Sequence, residues 1–197
     1  MRLAAAAVLV SVSGCAAAST APGGAAATTA APVAAAPATE APVAQPTESN
    51  PPGDIPDNTV FIPYRSPDGA YEVKVPEGWA RTDLPTGASF TDKLNSVKVE
   101  LATRANAPTE ATIRGEVPDV EIKKVDTVTR QSGKVVHAVY LTDSSPDPVT
   151  GKVVRDEVER FDFYRAGHEA VLTLSGPVGA DNVDPWRTVS DSFRWTR

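Results

Sequence analysis

The sequence predicts an α+β fold, an antiparallel β-sheet covered by helices, behind a long disordered N-terminal stretch. Three observations carry this. All twelve aromatic residues lie at Phe61 or later, so the side chains able to build a core are confined to the later part of the chain. Short alternations of apolar and polar residues recur there, the period of half-buried strands. Only two segments carry helix-start chemistry, one in the middle and one at the close. The folded part is placed at residues 59–197, a length that buries roughly two-thirds of its unfolded surface and needs neither disulfide nor structural metal.

The elements follow in order. Ser66-Pro67-Asp68-Gly69 has turn chemistry, with Pro second and Gly fourth. Tyr71, Val73 and Val75 then alternate with Glu72 and Lys74 as a strand, ended by Pro76-Glu77-Gly78. "ASFTDKLNSVKVELAT" reads as two more strands, with Phe90 in the first and Val97, Val99 and Leu101 in the second, joined at Lys93–Asn95. Asn106-Ala107-Pro108-Thr109-Glu110 begins a helix, capped by Asn or Thr and stopped by Pro118. "IKKVDTVTRQSGKVVHAVYLT" reads as two strands around Ser132-Gly133, and Asp143–Lys152 as a polar loop. "VVRDEVERFDFYRAGHEAVLTLSG" reads as a long hairpin turning at Ala166-Gly167. In "VDPWRTVSDSFRW" Asp184 is expected to cap a closing helix, with Pro185 at its first position and Trp186, Val189 and Phe193 on one face. Strands, a helix, four strands and a helix make an α+β arrangement.

The start of the chain reads as an export signal. Met1-Arg2 is a minimal basic region, and Leu3–Gly14, "LAAAAVLVSVSG", is an apolar run too short for a bilayer span of about 20 residues. Val12-Ser13-Gly14-Cys15 resembles the lipobox of bacterial lipoproteins. That resemblance implies a signal peptide at residues 1–14 and a diacylglyceryl group on Cys15, with palmitate-type acyl chains holding the protein to the membrane. The physical logic agrees: Cys15 is the only cysteine, so it has no disulfide partner in its own chain. Two or more acyl chains also anchor stably where one does not. An ordinary secretory leader with an incidental Cys15 is the alternative.

Residues 15–58 are expected to be the lipidated cysteine and a disordered Ala/Pro/Thr-rich tether. The stretch Ala16–Asn58 holds eight of the 18 prolines, which break any helix that its alanines favour, and has no apolar pattern that could bury surface. Extended at about 3.1 Å per residue, it reaches on the order of 130 Å. Its Thr and Pro content also suits O-glycosylation.

The formal net charge of −6 and the lack of a Lys/Arg stripe argue against nucleic-acid partners. Metal ligation has little support, because His137 sits in an apolar strand and His168 in a turn, with no paired spacing. Asp143 and Asp147 share a loop without the spaced acids and glycine of a calcium loop. The carboxylates of "RDEVER", Arg155–Arg160, read as charge pairing on a solvent face rather than a facing catalytic pair. No nucleophile elbow or phosphate-cradling glycine motif occurs, and Ser175 reads as a strand end. No enzyme and no cofactor is expected. A hydrolase built on His137 beside a serine is the one version that the residues permit. Trp79, Trp186 and Trp195, with Tyr64, Tyr71 and Phe193, either line a binding groove or belong to the core.

The opening "YRSPDGAYEVKVPEGWA", the single mid-domain helix, the hairpin with "AVLTLSG" and the closing "PWRTVSDSFRW" resemble, in order, PsbP-like proteins and actinobacterial lipoproteins of the LpqN type. The resemblance implies an α/β/α sandwich in residues 59–197. The Ala/Pro/Val-rich composition also looks actinobacterial. The family shares no catalytic motif, and fold does not fix function. Together these readings give a lipid-anchored protein on the extracytoplasmic face of the cell membrane. It would act as a scaffold or assembly module for an envelope protein and would show an exposed apolar patch. The alternative is a small-ligand or lipid-binding lipoprotein with an internal apolar cavity of several hundred cubic ångströms.

Overall fold

A computed structural model describes residues 52–117, 120–147 and 149–197. The expected signal peptide, Cys15 and nearly all of the tether lie outside the described residues. Ten strands and two helices follow one another: β1 Phe61–Arg65, β2 Tyr71–Pro76, β3 Ala80–Leu84, β4 Gly87–Asp92, β5 Asn95–Thr103, α1 Glu110–Glu116, β6 Glu121–Arg130, β7 Gly133–Asp143, β8 Arg155–Arg165, β9 His168–Pro177, α2 Val183–Ser192 and β10 Arg194–Trp195. Seven strands form one antiparallel sheet in the order β3-β4-β5-β9-β8-β7-β6, and β1-β2-β10 form a second sheet. The α+β class and the antiparallel pairing therefore hold.

Alternation decides which residues go inside. Along β5, Val97 and Val99 are fully buried, and along β9 so are Ala170, Leu172 and Leu174. They join Phe161 and Phe163 of β8, Tyr71 and Val73 of β2, and Trp186, Val189 and Phe193 in one core between the two sheets and α2. Neighbouring residues of a strand point to opposite faces. Accordingly Val135 of β7 enters this core, whereas Val136 and Ala138 pack with Ile113 of α1 and Val125 of β6 in a smaller cluster on the other face. One face of the large sheet thus carries α1. The other carries α2 together with the small sheet, where helices alone were expected.

Several local details differ from expectation. The core takes in Ile55, 4% exposed, ahead of the Thr59 boundary. The strands β1, β3 and β10 have no counterpart in the sequence reading. The cap of α2 is Asn182 rather than Asp184, which lies in the first helical turn, and the Asn182 side chain makes no cap bond. For α1, Thr109 is the cap: its hydroxyl accepts from the Thr112 N–H at 3.2 Å while its own N–H donates to Thr112 Oγ1 at 2.8 Å. The β8–β9 hairpin turns at Ala166 (φ 48°) and Gly167 (φ 85°), the paired left-handed conformation that matches strand twist.

Candidate functional site

The strand ends sort the loops onto two ends of the domain. One end holds the Glu77–Trp79 turn, the β4–β5 turn and the β9–α2 loop. The opposite end holds the Ser66–Gly69 turn, the β8–β9 turn and β10. The six aromatic residues expected to line a groove or join the core are divided between these ends and the core. Tyr64 (8% exposed) and Tyr71 (0%) are buried, their rings 6.2 Å apart, and Tyr71 stacks on Phe193 at 5.6 Å. Burial pushes the Tyr71 hydroxyl far above its ordinary range. Trp195 lies half-buried at the end with the β8–β9 turn, its ring edge-on to Phe193 at 5.4 Å. Trp79 and Trp186 meet edge-to-face at 6.5 Å at the other end.

The Trp79–Trp186 pair marks the first candidate surface. Trp79 lines a cleft of about 540 Å³ with Ile55, Pro56 and Val60, and Trp186 lines a neighbouring concavity beside Pro177 and Val183. Large apolar residues here face solvent: Val60 is 57% exposed, Val183 67% and Val178 48%. The first cleft is acidic, with Asp54, Glu77 and Asp92 against Lys93, which itself lies 3.9 Å from Asp92.

Asparagine side chains hold this end together, an arrangement with no local signal in the sequence. Asn182 Oδ1 accepts from the Ile55 N–H at 2.8 Å, and Asn182 Nδ2 donates to the Gly53 carbonyl at 3.0 Å and to Asn95 Oδ1 at 3.1 Å. Asn95 Nδ2 donates to the same Gly53 carbonyl at 2.8 Å. Both asparagines are buried, so each bond replaces water that neither group could reach. A methyl on Gly176 would sit 2.6 Å from Asn95 Oδ1, so only glycine leaves room for this network. Its nearest hint in the sequence is an asparagine just ahead of a helix, where capping is the default reading.

The opposite end carries a second cleft, of about 590 Å³, with Trp195, Leu101 and Ala70 as its apolar part, Arg165, Arg197 and Asp68 as its charges, and His168 beside them. The Arg165 guanidinium lies 5.4 Å from the Trp195 ring centroid, a cation–π placement. Hydrogen bonds from the Ser66 hydroxyl and the Ala70 N–H hold the Asp68 carboxyl below its ordinary value, and the Arg197 charge adds to this.

The remaining chemistry-bearing residues are paired structurally. His137 is buried and stacked on Phe161 at 4.4 Å, its Nε2 2.9 Å from Glu159 Oε2 and its Nδ1 3.4 Å from Asp126 Oδ1. Its ring nitrogens therefore face carboxylates and not the serine hydroxyl that a hydrolase built on His137 requires. The "RDEVER" charges are not confined to a solvent face. Arg155 pairs outward with Asp143 and Glu121, but Asp156 is buried and accepts from the Ser175 hydroxyl at 3.1 Å. Arg160 bonds Asp162 at 2.7 Å and Glu116 of α1 at 2.6 Å, while Arg104 joins Glu116 to Glu169. Burial pushes Asp162 up to about 6, with Arg160 pulling the other way. Burial also works to raise Glu116, but hydrogen bonds from Arg104 and Arg160 outweigh it and hold that carboxyl low. Asp147 Oδ1 accepts from the Val149 N–H, the Thr150 N–H and the Thr150 hydroxyl, closing a turn.

No protein-family model and no curated protein matches this chain. Among solved structures, it is similar to cyanobacterial PsbP of Synechocystis (TM-score 0.47, 14% identity, 73% of this chain and 98% of that one). It is also similar to the Ran-binding protein Mog1p of Saccharomyces cerevisiae (0.48, 14%, 70% and 96%). LpqN of Mycobacterium tuberculosis, involved in cell envelope biogenesis, is a further neighbour (0.43, 12%, 72% and 93%). The chain spans 48% of the length of a Bacteroides thetaiotaomicron protein that it also matches. At these scores and identities the likeness is one of shape and assigns neither a family nor a function.

Proposed function

We propose that this chain is a non-catalytic, protein-binding module of a bacterial cell envelope. Lipid on Cys15 anchors it to the extracytoplasmic face of the membrane, and residues 15–58 act as a tether. In this reading residues 59–197 are a PsbP-like α/β/α domain in which the small sheet shares one face with α2. The lipobox-like Val12-Ser13-Gly14-Cys15 and the proline-rich stretch support the anchor and the reach. The observation that carries the binding role is the run of solvent-facing Val60, Val178 and Val183 around the Trp79–Trp186 pair. Exposed apolar residues around anchored aromatics mark interaction surfaces. The acids Asp54, Glu77 and Asp92 in the adjoining cleft select a partner segment that is both apolar and basic.

The test is site-specific photocrosslinking in the native host, with the crosslinker at Val183 and, as a control, at exposed Thr129. The expected product is one envelope protein captured from Val183 only, through a basic segment, with capture reduced by Trp79→Ala and by Cys15→Ala. Equal capture from both positions, or none, overturns this surface as the interface. Recovery of the Cys15→Ala form in the membrane fraction overturns the anchor.

A second reading, small-ligand binding, is favoured by the cleft beside Trp195. That cleft is open to solvent, whereas the sequence reading expected an internal cavity.

A further inference from the structure

Among the described residues, three arginines have no carboxylate partner: Arg114, Arg165 and Arg197. Two of them also meet a backbone carbonyl, Arg114 that of Val125 at 3.3 Å and Arg197 that of Gly69 at 3.1 Å. Arg165 and Arg197 line the same cleft, and His168 lines it with them. Its single acid, Asp68, is already held by the Ala70 N–H at 3.1 Å. The cleft therefore gathers two guanidinium groups against one carboxylate, on a chain of net charge −6.

The rest of the cleft is apolar. Trp195 and Leu101 face it, and a smaller trough of about 290 Å³ shares Asp68 and Leu101 with it and continues past Tyr71, Leu84 and Pro85. A ligand entering here meets cations at the rim and an aromatic and aliphatic floor. Its volume of about 590 Å³ is in the range of small-molecule sites, which run from about 300 to 1,000 Å³. Resting on the small-ligand reading above, we propose that this cleft binds a small amphiphilic carboxylate. The carboxylate sits between Arg165, His168 and Arg197, and the hydrocarbon body lies on Trp195 and Leu101. Arg165, stacked over the Trp195 ring, offers its N–H edge to the anion while its face stays on the indole.

The matched probes are octanoate and 1-octanol, titrated against the full chain by calorimetry and by Trp fluorescence. Octanoate should bind at least about tenfold more tightly, the worth of one charge-assisted contact. Arg165→Gln should remove that advantage, weakening octanoate about tenfold more than octanol, and the variant should still fold because Arg165 is exposed and has no ion pair to lose. Trp195→Phe should weaken both probes alike. Amide resonances of Ala166 and Gly167 should shift with octanoate only. Equal affinity for both probes overturns the anion site while leaving small-ligand binding standing. Binding of neither at millimolar concentration overturns both. Binding to phosphatidylglycerol vesicles without binding to octanoate also overturns the proposal, and makes this end a membrane-facing surface instead.

Discussion

Asn182 and Asn95, 87 residues apart in the chain, are joined by an amide–amide hydrogen bond of 3.1 Å, and both grip the carbonyl of Gly53. The entering chain, the β4–β5 turn and the start of α2 are thereby one unit. Asn182→Ala would leave the buried Ile55 N–H and the buried Asn95 Oδ1 without partners. The expected cost is about 1–3 kcal/mol in denaturant unfolding. Hydrogen exchange at the Ile55 amide should accelerate far more than exchange in β8, and uniform acceleration would contradict the local role.

Gly176→Ala should act on the same unit from the other side. The added methyl meets Asn95 Oδ1 at 2.6 Å and Asn182 Nδ2 at 2.9 Å, neither of which can retreat without breaking its bonds. Destabilisation comparable to that of Asn182→Ala is expected, and the double variant should cost less than the sum of the two. Full additivity, measured by a double-mutant cycle, would show that the two residues act separately.

Ile113 is the one buried residue within α1, fully enclosed by Val125, Val136 and Ala138. A helix this short has little stability of its own. Ile113→Ala should cost about 2–5 kcal/mol and release α1 from the sheet. Amide protection across Glu110–Glu116 is the readout, and retention of that protection would place the helix's stability in the Glu116 ion pairs instead.

Asp162 gives the domain a pH response. Its folded value of about 6 lies above the ordinary 3.8, so the folded state holds this proton to higher pH than the unfolded chain does. The contribution to stability is full at low pH and is lost as pH rises through about 6. Between pH 7 and pH 5, the unfolding free energy should rise by about 1 kcal/mol relative to Asp162→Asn. Glu116, held low, works in the opposite direction but only below its usual range, outside this window. Parallel pH profiles for the two proteins would show that Asp162 keeps its ordinary value.

Most of the larger elements were legible because their apolar spacing is regular. The residues of β2, β5 and β9 whose apolar side chains alternate in sequence are buried in the structure. By contrast, β3 reads "ARTDL", four of whose five residues are exposed, and nothing in its side chains signals a strand. It exists because β4 offers it a partner. Similarly, β10 is two residues long and is a strand only because Glu72 and Tyr71 lie opposite it. The tryptophans were legible as important but not as neighbours. Trp79 and Trp186 meet because β2 ends where α2 begins, a relation that pairing across the chain creates and local sequence does not contain. The asparagine network is invisible for the same reason, since its bonds span 42 to 129 residues.

The strap at Gly53 and Ile55 also has a mechanical meaning. Tension applied through the chain ahead of Pro52 reaches the Asn182 bonds before it reaches the hydrogen bonds of β1 on β2. Those few bonds are a fuse in series with the sheet. They are placed to yield ahead of the core. Because the strap also shapes the Trp79–Trp186 end, pulling on the chain ahead of Pro52 would deform the surface proposed to hold a partner. In the proposed anchored form, load on the chain ahead of Pro52 and the shape of that surface would be coupled through the side chains of Asn182 and Asn95.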